Sequence, residues 1–262
     1  MKVLCLGDIF GKSGREAIFR DLPEFKKNNK IDFVIANAEN AAHGFGITEK
    51  IALSFLEDNL IDVLTIGDHA INRRENPIGH PRIVNAGNYQ NEHFGTGYTL
   101  VEKNGQTLAI MCLLGQVFIE SERKHISNPF EKIDSILAEL SGKADAFILD
   151  FHAEATGEKQ AMAFYVEARI AAMFGTHTHV PTADAQIYPK GMGYITDVGM
   201  CGNYNSVIGA DPTRALTHHL PNIARTHLQP QEGKGFLSGV IFTIETNRCM
   251  KVETLLPPFR IK

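Results

Sequence analysis

The sequence predicts an α/β fold built as one domain over residues 1–262, and three observations support this prediction. The chain has 262 residues, of which 44% are hydrophobic, so it can bury a large core and fits one large domain better than two small ones. Short apolar runs alternate with helical segments in the first half, which is typical of a parallel sheet. No repeat, low-complexity segment or linker divides the sequence. We therefore expect both halves to contribute strands to a layered α/β sandwich.

Composition narrows the class of protein. The formal net charge of −4 gives no basic surface for a large nucleic acid. Four scattered cysteines show no paired spacing, and Cys5 and Cys112 lie in apolar runs, which favours reduced thiols in a cytoplasmic protein. No apolar run approaches membrane-spanning length, and the N-terminus is too short for a signal peptide. We expect a cytoplasmic protein that does not bind membranes. The sequence leaves open whether it forms a homo-oligomer.

The first strand is predicted over residues 2–6, and a glycine-rich segment containing Asp8 follows it. Three glycines around one aspartate allow a sharp turn that leaves the carboxylate at the end of the strand. A P-loop is excluded because the Gly-Lys-Ser of residues 11–13 has no glycine five residues earlier. A helix over residues 16–28, interrupted near Pro23, is expected to return the chain for a parallel strand.

Polar side chains also follow the next two predicted strands, residues 31–36 and 62–66. Thr48 is expected to cap the helix between them. Turn formation alone could explain the asparagines and glycines in these segments. Because the carboxyl ends of parallel strands meet at one edge of a sheet, we expect the acidic residues to gather there. The polar residues after the two strands are Glu39, Asn40, His43, Asp68 and His69.

The rest of the chain is less regular at first. Residues 70–92 suggest surface structure, in which Arg73 and Arg74 could meet a substrate phosphate, although a solvated charge run is favoured. Asn104-Gly105 predicts a hairpin that changes the sheet from parallel to mixed. The other predicted elements are the hairpin strands 97–101 and 106–113, a helix over 129–140, strands over 146–150, 170–174 and 193–199, a helix over 211–224, and a closing pair of strands over 235–243 and 249–255.

Two histidines, His177 and His179, follow the apolar run of residues 170–174. On an extended segment, side chains two residues apart point the same way. Neutral imidazole is a good ligand for divalent transition metals. The pattern alone leaves two interpretations open, a metal site and a polar loop that carries two histidines by chance.

Taken as a set, the ligand-type residues fall just after predicted strands, as in a two-metal hydrolytic centre. These residues are Asp8, Glu39, Asp68, His152, His177 and His179. The set resembles the calcineurin-like metallophosphoesterases. It is similar, more narrowly, to their YmdB-like branch in the motifs Gly-Asp-Ile-Phe-Gly, Glu-Asn-Ala-Ala-His-Gly, Asp-Phe-His-Ala-Glu-Ala-Thr, Gly-Thr-His-Thr-His-Val and Ile-Thr-Asp-Val-Gly-Met.

The resemblance implies a four-layer αββα sandwich with two mixed sheets. It also implies a bacterial phosphodiesterase of 2′,3′-cyclic or 3′,5′-cyclic nucleotides. Two divalent ions, iron or manganese with magnesium or zinc as alternatives, would share an attacking hydroxide. Two other functions stay open: a phosphomonoesterase or 5′-nucleotidase on the same centre, and a non-catalytic regulator that binds a nucleotide through the metals.

The resemblance also implies a role for each site residue. Asp8 and His179 would hold the first metal, Glu39 would bridge, and the second metal would take Asp68, His152 and His177. Asn40 would contact the phosphate and His69 would donate a proton to the leaving group, which disfavours a protein that only binds. His43 is a further candidate for substrate binding.

Two positions depart from the wider family. Phe10 replaces a histidine, as in the YmdB-like branch. Asp68 replaces an asparagine, which changes the charge of the metal site.

Other polar residues are expected to have lesser roles. Glu154 and Asp197 are candidates for orienting the ligating imidazoles by hydrogen bonds. The remaining histidines are predicted to be surface or structural residues, and they are His80, His93, His125, His218, His219 and His227.

Overall fold

The computed structural model describes residues 1–71, 79–90, 95–119 and 126–257. Within them the strands are β1 (Lys2–Leu6), β2 (Asp8–Ile9), β3 (Phe33–Asn37), β4 (Val63–Ile66), β5 (Ile83–Asn85), β6 (Tyr98–Lys103), β7 (Gln106–Leu114), β8 (Ala146–His152), β9 (Ala172–Thr176), β10 (Gln186–Ile187), β11 (Gly193–Ile195), β12 (Met200–Cys201), β13 (Gly239–Glu245) and β14 (Arg248–Leu255). The helices are α1 (Gly11–Asn29), α2 (Glu49–Leu56), α3 (Pro129–Glu139), α4 (Thr156–Val166) and α5 (Pro212–Leu216).

The strands form two large sheets, with the orders β14-β13-β1-β3-β4-β5 and β10-β11-β9-β8-β7-β6. In the first sheet β1, β3, β4 and β5 are parallel, and β13 and β14 are antiparallel. In the second, β7, β8, β9 and β11 are parallel, with antiparallel strands at both edges. Both sheets are mixed, as predicted. The hairpin β6–β7 belongs to the second sheet, so the expectation that it makes the first sheet mixed is wrong.

The burial pattern of β7 establishes the layers. Its even-numbered residues from Leu108 to Leu114 join a core with β1 and with the buried faces of α1 and α2. Its odd-numbered residues from Ala109 to Leu113 join a second core with α3 and α4. Because alternate strand residues face opposite sides, the first sheet packs on one side of β7 and helices pack on the other. The chain is therefore a four-layer αββα sandwich, as predicted.

Helix boundaries differ from the prediction at three places. Helix α1 begins at Gly11 and continues through Pro23, because Pro23 lies on its exposed side and its other side packs into the core. Gly14 also lies within this helix, and a Cβ there would overlap the backbone carbonyl of Cys201. Helix α5 has five residues rather than fourteen. Helix α4 was not predicted, because the buried position Lys159 interrupts its apolar pattern.

The topology brings the carboxyl ends of five parallel strands together. These are β1, β3 and β4 from one sheet and β8 and β9 from the other. Loops at such strand ends are where α/β proteins bind ligands. All four cysteines are free and buried, as expected for core thiols. No helix of the described residues is long and apolar enough to cross a membrane.

Candidate metal centre

Four donor side chains converge at these strand ends, from Glu39, Asp68, His152 and His177. One donor atom of each lies within 4.8 Å of the others. Nε2 of His152 lies 3.0 Å from Oε1 of Glu39 and 2.9 Å from Oδ1 of Asp68. It also lies 3.0 Å from Nδ1 of His177. Mixed carboxylate and imidazole donors this close together suit a divalent transition metal.

The electrostatics of the cluster favour a cation. Burial acts to lower the pKa of His152, but the neighbouring carboxylates of Glu39 and Asp68 raise it well above the ordinary value. Burial acts to raise the pKa of Asp68, but hydrogen bonds from His152 and His177 hold it below the ordinary value. The site therefore stabilises positive charge next to ionised carboxylates, whether a proton or a metal ion carries that charge.

A second group of donors lies beside the first. Oδ1 of Asp8 is buried without a hydrogen-bond partner, and burial raises the pKa of Asp8 to about 7. Nε2 of His179 lies 3.9 Å from this oxygen and 3.3 Å from Oδ1 of Asn40. A buried carboxylate oxygen without a donor is costly unless a cation meets it. The residues present therefore fit a metal ion here too.

Hydrogen bonds outside the cluster fix which nitrogen of each imidazole faces it. The Thr176 hydroxyl donates to Asp150 at 2.7 Å, so it accepts from Nδ1 of His152, 2.8 Å away. Nδ1 of His179 donates to the carbonyl of Ile208 at 2.8 Å. In both residues Nδ1 is engaged away from the donor groups, so Nε2 is the nitrogen that can bind a metal.

The two histidines after β9 do not lie on an extended segment, so that prediction is wrong. Their φ angles are 103° at His177 and 64° at His179. His177 turns toward His152, whereas His179 turns toward Asp8 and Asn40. The turn in the backbone distributes two neighbouring histidines between the two donor groups. Residue spacing alone cannot reveal this, because it assumes a regular strand.

Asp197 holds this turn without touching an imidazole. Its Oδ2 accepts from the backbone N–H of Thr178 at 3.1 Å and from Nζ of Lys159 at 2.8 Å. Lys159 also donates to the carbonyl of Thr176 at 2.9 Å, and both charged side chains are fully buried. Sequence reasoning missed Lys159, because a lysine within a helix is ordinarily solvated. Glu154 does meet an imidazole, since its carboxylate lies 3.2 Å from Nε2 of His177.

We expect Lys159→Met to destabilise the protein by about 3–5 kcal/mol, because it leaves the Asp197 carboxylate buried without its cation. Thermal or urea unfolding measures the loss. The additional change Asp197→Asn removes the uncompensated charge and is expected to recover part of the lost stability. Lys190→Met is the matched control, since the ion pair of Lys190 with Glu167 is largely exposed on the lysine side and is worth little. Equal losses for Lys159→Met and Lys190→Met would contradict this account.

Gly67 places Asp68 and His69 close to the cluster. A Cβ on Gly67 would overlap the Glu39 carboxylate and the His152 ring. Asp68 faces the cluster rather than turning away, as its contacts with His152 and His177 demonstrate.

Asp68→Asn should weaken metal retention, because it removes one negative donor at nearly constant shape. The expected result is faster metal loss to a chelator than in the unchanged protein. Asp62→Asn is a control, because Asp62 pairs with Lys103 on another side of the fold. Identical chelator resistance of all three proteins would show that the charge of Asp68 does not matter.

A cavity of about 390 Å³ opens above both donor groups. His69 lines it and packs edge to face against Phe45, with ring centroids 5.2 Å apart. The backbone N–H of His69 lies 3.4 Å from Oε2 of Glu39. Asn40 and the exposed His43 also line this cavity. The structure therefore brings every predicted site residue to one place.

The remaining polar candidates lie apart from the cluster or outside the described residues. Nε2 of His218 contacts the carbonyl of Thr226, and Nδ1 of His80 accepts from the backbone of Arg82. His219 is exposed, and His227 lines a neighbouring cavity. Four residues fall outside the described residues, namely Arg73, Arg74, His93 and His125.

Comparison with known proteins identifies the family of this chain. The family model described as YmdB-like protein matches residues 4–255. A 2′,3′-cyclic-nucleotide 2′-phosphodiesterase of Bacillus subtilis is 38% identical, over 98% of this chain and 97% of its own.

Solved structures agree with this relationship. A hypothetical protein of Thermus thermophilus matches with a TM-score of 0.89 at 33% identity, covering 97% of this chain and 98% of its own. A novel phosphatase of Mycoplasma pneumoniae matches with a TM-score of 0.86 at 35% identity, covering 97% and 92%. A 5′-nucleotidase of Candida albicans, 15% identical with a TM-score of 0.53 over 80% of this chain and 46% of its own, shares the fold alone. The match along nearly the whole chain, together with these relatives, shows that the protein belongs to the YmdB-like family.

Proposed function

We propose that the protein is a metal-dependent phosphodiesterase that hydrolyses 2′,3′-cyclic nucleotides. The observation that carries this proposal is the pair of donor groups at the strand ends, beneath a cavity that can hold a nucleotide. The name of the Bacillus subtilis relative supports the 2′,3′-cyclic isomer over the 3′,5′-cyclic isomer.

Asp8 and His179 would hold one divalent ion, with Asn40 beside it to contact the phosphate. Asp68, His152 and His177 would hold the other ion, with Glu39 between the two. When bound, such ions supply a nucleophile from water at neutral pH and neutralise charge on the phosphoryl oxygens. Neutral Nε2 atoms and ionised carboxylates are the protonation states that metal binding requires. The contacts of Nδ1 with Thr176 and Ile208 leave Nε2 as the nitrogen that faces the donor groups in His152 and His179.

His69 is assigned to the leaving group. In this reaction the water oxygen bonds to phosphorus, the bond from phosphorus to O2′ breaks, and a nucleoside 3′-phosphate is released. O2′ leaves as an alkoxide unless it is protonated, so a positioned acid accelerates the step. His69 lines the cavity next to Glu39 without belonging to either donor group, so its imidazole can deliver this proton.

A substrate panel tests the proposal. The metal-loaded protein is offered 2′,3′-cyclic AMP, 3′,5′-cyclic AMP, a linear dinucleotide and AMP, and products are separated by chromatography. We expect the fastest turnover with 2′,3′-cyclic AMP and adenosine 3′-phosphate as the product. Faster turnover of AMP would favour a phosphomonoesterase, and no turnover of any of the four would refute the assignment.

A further inference from the structure

A strained two-residue turn forms part of the cavity wall. Val207 and Ala210 exchange two backbone hydrogen bonds of 2.9 Å, so Ile208 and Gly209 are the central residues of the turn. Their φ angles are 45° and 98°. Positive φ at both central positions is the pattern of a type I′ turn, for which Asn-Gly is the preferred sequence.

Isoleucine is an unfavourable residue at this position. The left-handed region brings Cβ close to the following carbonyl, and a β-branched side chain makes the conflict worse. Gly209 adopts a positive φ without strain, whereas Ile208 does not. Such conflicts persist only where the surrounding structure fixes the backbone, and they concentrate at ligand sites.

Five hydrogen bonds fix this backbone. Besides the two reciprocal bonds, Gly209 donates to the Ser206 hydroxyl at 2.9 Å and accepts from the backbone of Gln231 at 2.7 Å. The carbonyl of Ile208 accepts from Nδ1 of His179. The backbone of Ile208 therefore orients His179, but any residue could supply that carbonyl. The isoleucine side chain itself needs another explanation.

That side chain does not serve the core. Ile208 is 56% exposed and lines the cavity above the donor groups, together with the apolar residues Phe10, Phe45, Leu228 and Pro230. The phosphate of a substrate would lie at His179, which Ile208 contacts directly. The organic part of the substrate can then extend along this apolar wall.

We propose that Ile208 is a specificity-determining residue whose side chain packs against the nucleobase of the substrate. This inference rests on the proposed function, since it assumes a nucleoside attached to the phosphate. Ile208 belongs to neither buried core cluster. Its exposed side chain places an apolar surface in the cavity, where a nucleobase can pack against it.

The test separates the base from the phosphate. Two substrates are compared, 2′,3′-cyclic AMP and methyl riboside 2′,3′-cyclic phosphate, which has the same reacting group and no base. Ile208→Asn should lower kcat/KM for 2′,3′-cyclic AMP by about 10-fold, mainly through KM, because it removes apolar contact area. It should leave the base-free substrate and the metal content unchanged. Ile208→Val, which keeps a β-branched apolar side chain, should retain most of the preference for the base.

A matched turn provides the control for strain. Thr246 and Asn247 join β13 and β14 with φ angles of 47° and 55°, and Thr246 is also β-branched, exposed and absent from the cavity. Ile208→Asn and Thr246→Asn should each raise Tm by about 2–4 °C, because each relieves strain in its turn. Only Ile208→Asn should change the kinetics. An unchanged preference for the base in Ile208→Asn, with normal turnover by the unchanged protein, would overturn this inference alone. Absence of turnover in the unchanged protein would overturn the proposed function and this inference with it.

Discussion

Replacing His69 by glutamine is expected to lower turnover of 2′,3′-cyclic AMP by about 10²–10⁴-fold, the usual contribution of a general acid. Glutamine retains polarity and approximate size but cannot donate a proton to an alkoxide. The backbone N–H of residue 69 still reaches Glu39, so the donor groups should keep their metals. Steady-state kinetics and metal analysis of the same preparation measure the two effects.

The leaving group provides the control for this prediction. Nitrophenolate is a weak base that departs without a proton, so a bis-p-nitrophenyl phosphate ester should lose much less turnover in His69→Gln. The pairing of His69 with Phe45 suggests a competing role in positioning. Equal losses on both substrates would favour positioning over proton donation.

Glu39→Ala is expected to lower bound metal and to reduce turnover by more than about 10³-fold, because the ions contribute several kcal/mol of charge stabilisation. The Glu39 carboxylate lies 3.0 Å from Nε2 of His152 and 3.4 Å from the backbone nitrogen of His69, so its loss disturbs the centre of the site. His152→Ala should behave in the same way. Metal content by elemental analysis and turnover of 2′,3′-cyclic AMP give the result.

His218→Ala is the control for these two variants. His218 is bound to the Thr226 carbonyl, away from the donor groups, so neither metal content nor turnover should change. Unfolding temperatures of all three variants separate metal loss from misfolding. Full turnover by a folded Glu39→Ala protein would remove Glu39 from the site.

Much of the fold could be predicted because its signals are local. Apolar runs gave the central strands of both sheets, and Thr48 caps α2 by accepting from the backbone of Ile51. The donor residues could also be predicted, since each follows a strand and parallel strands end at one edge. The four layers came from the resemblance, and the alternating burial of β7 confirms them.

What could not be predicted depends on tertiary contacts. Gly14 reads as a loop residue, yet it lies within α1, where the carbonyl of Cys201 leaves no room for a Cβ. Helix α4 was missed because Lys159 occupies a buried position, and its contacts with Asp197 and the Thr176 carbonyl make that burial tolerable. The division of His177 and His179 between the two donor groups depends on backbone angles that sequence spacing does not encode. The strained turn at Ile208 could not be predicted from the sequence either.

Metal removal and replacement test the central claim most directly. The purified protein is stripped with a chelator, assayed on 2′,3′-cyclic AMP, and titrated with Mn²⁺ while metal content and turnover are followed together. The account predicts that the stripped protein is inactive and that turnover returns as the donor groups fill, reaching its maximum at about two ions per chain, as in two-metal hydrolytic sites. Full turnover by the metal-free protein would contradict it.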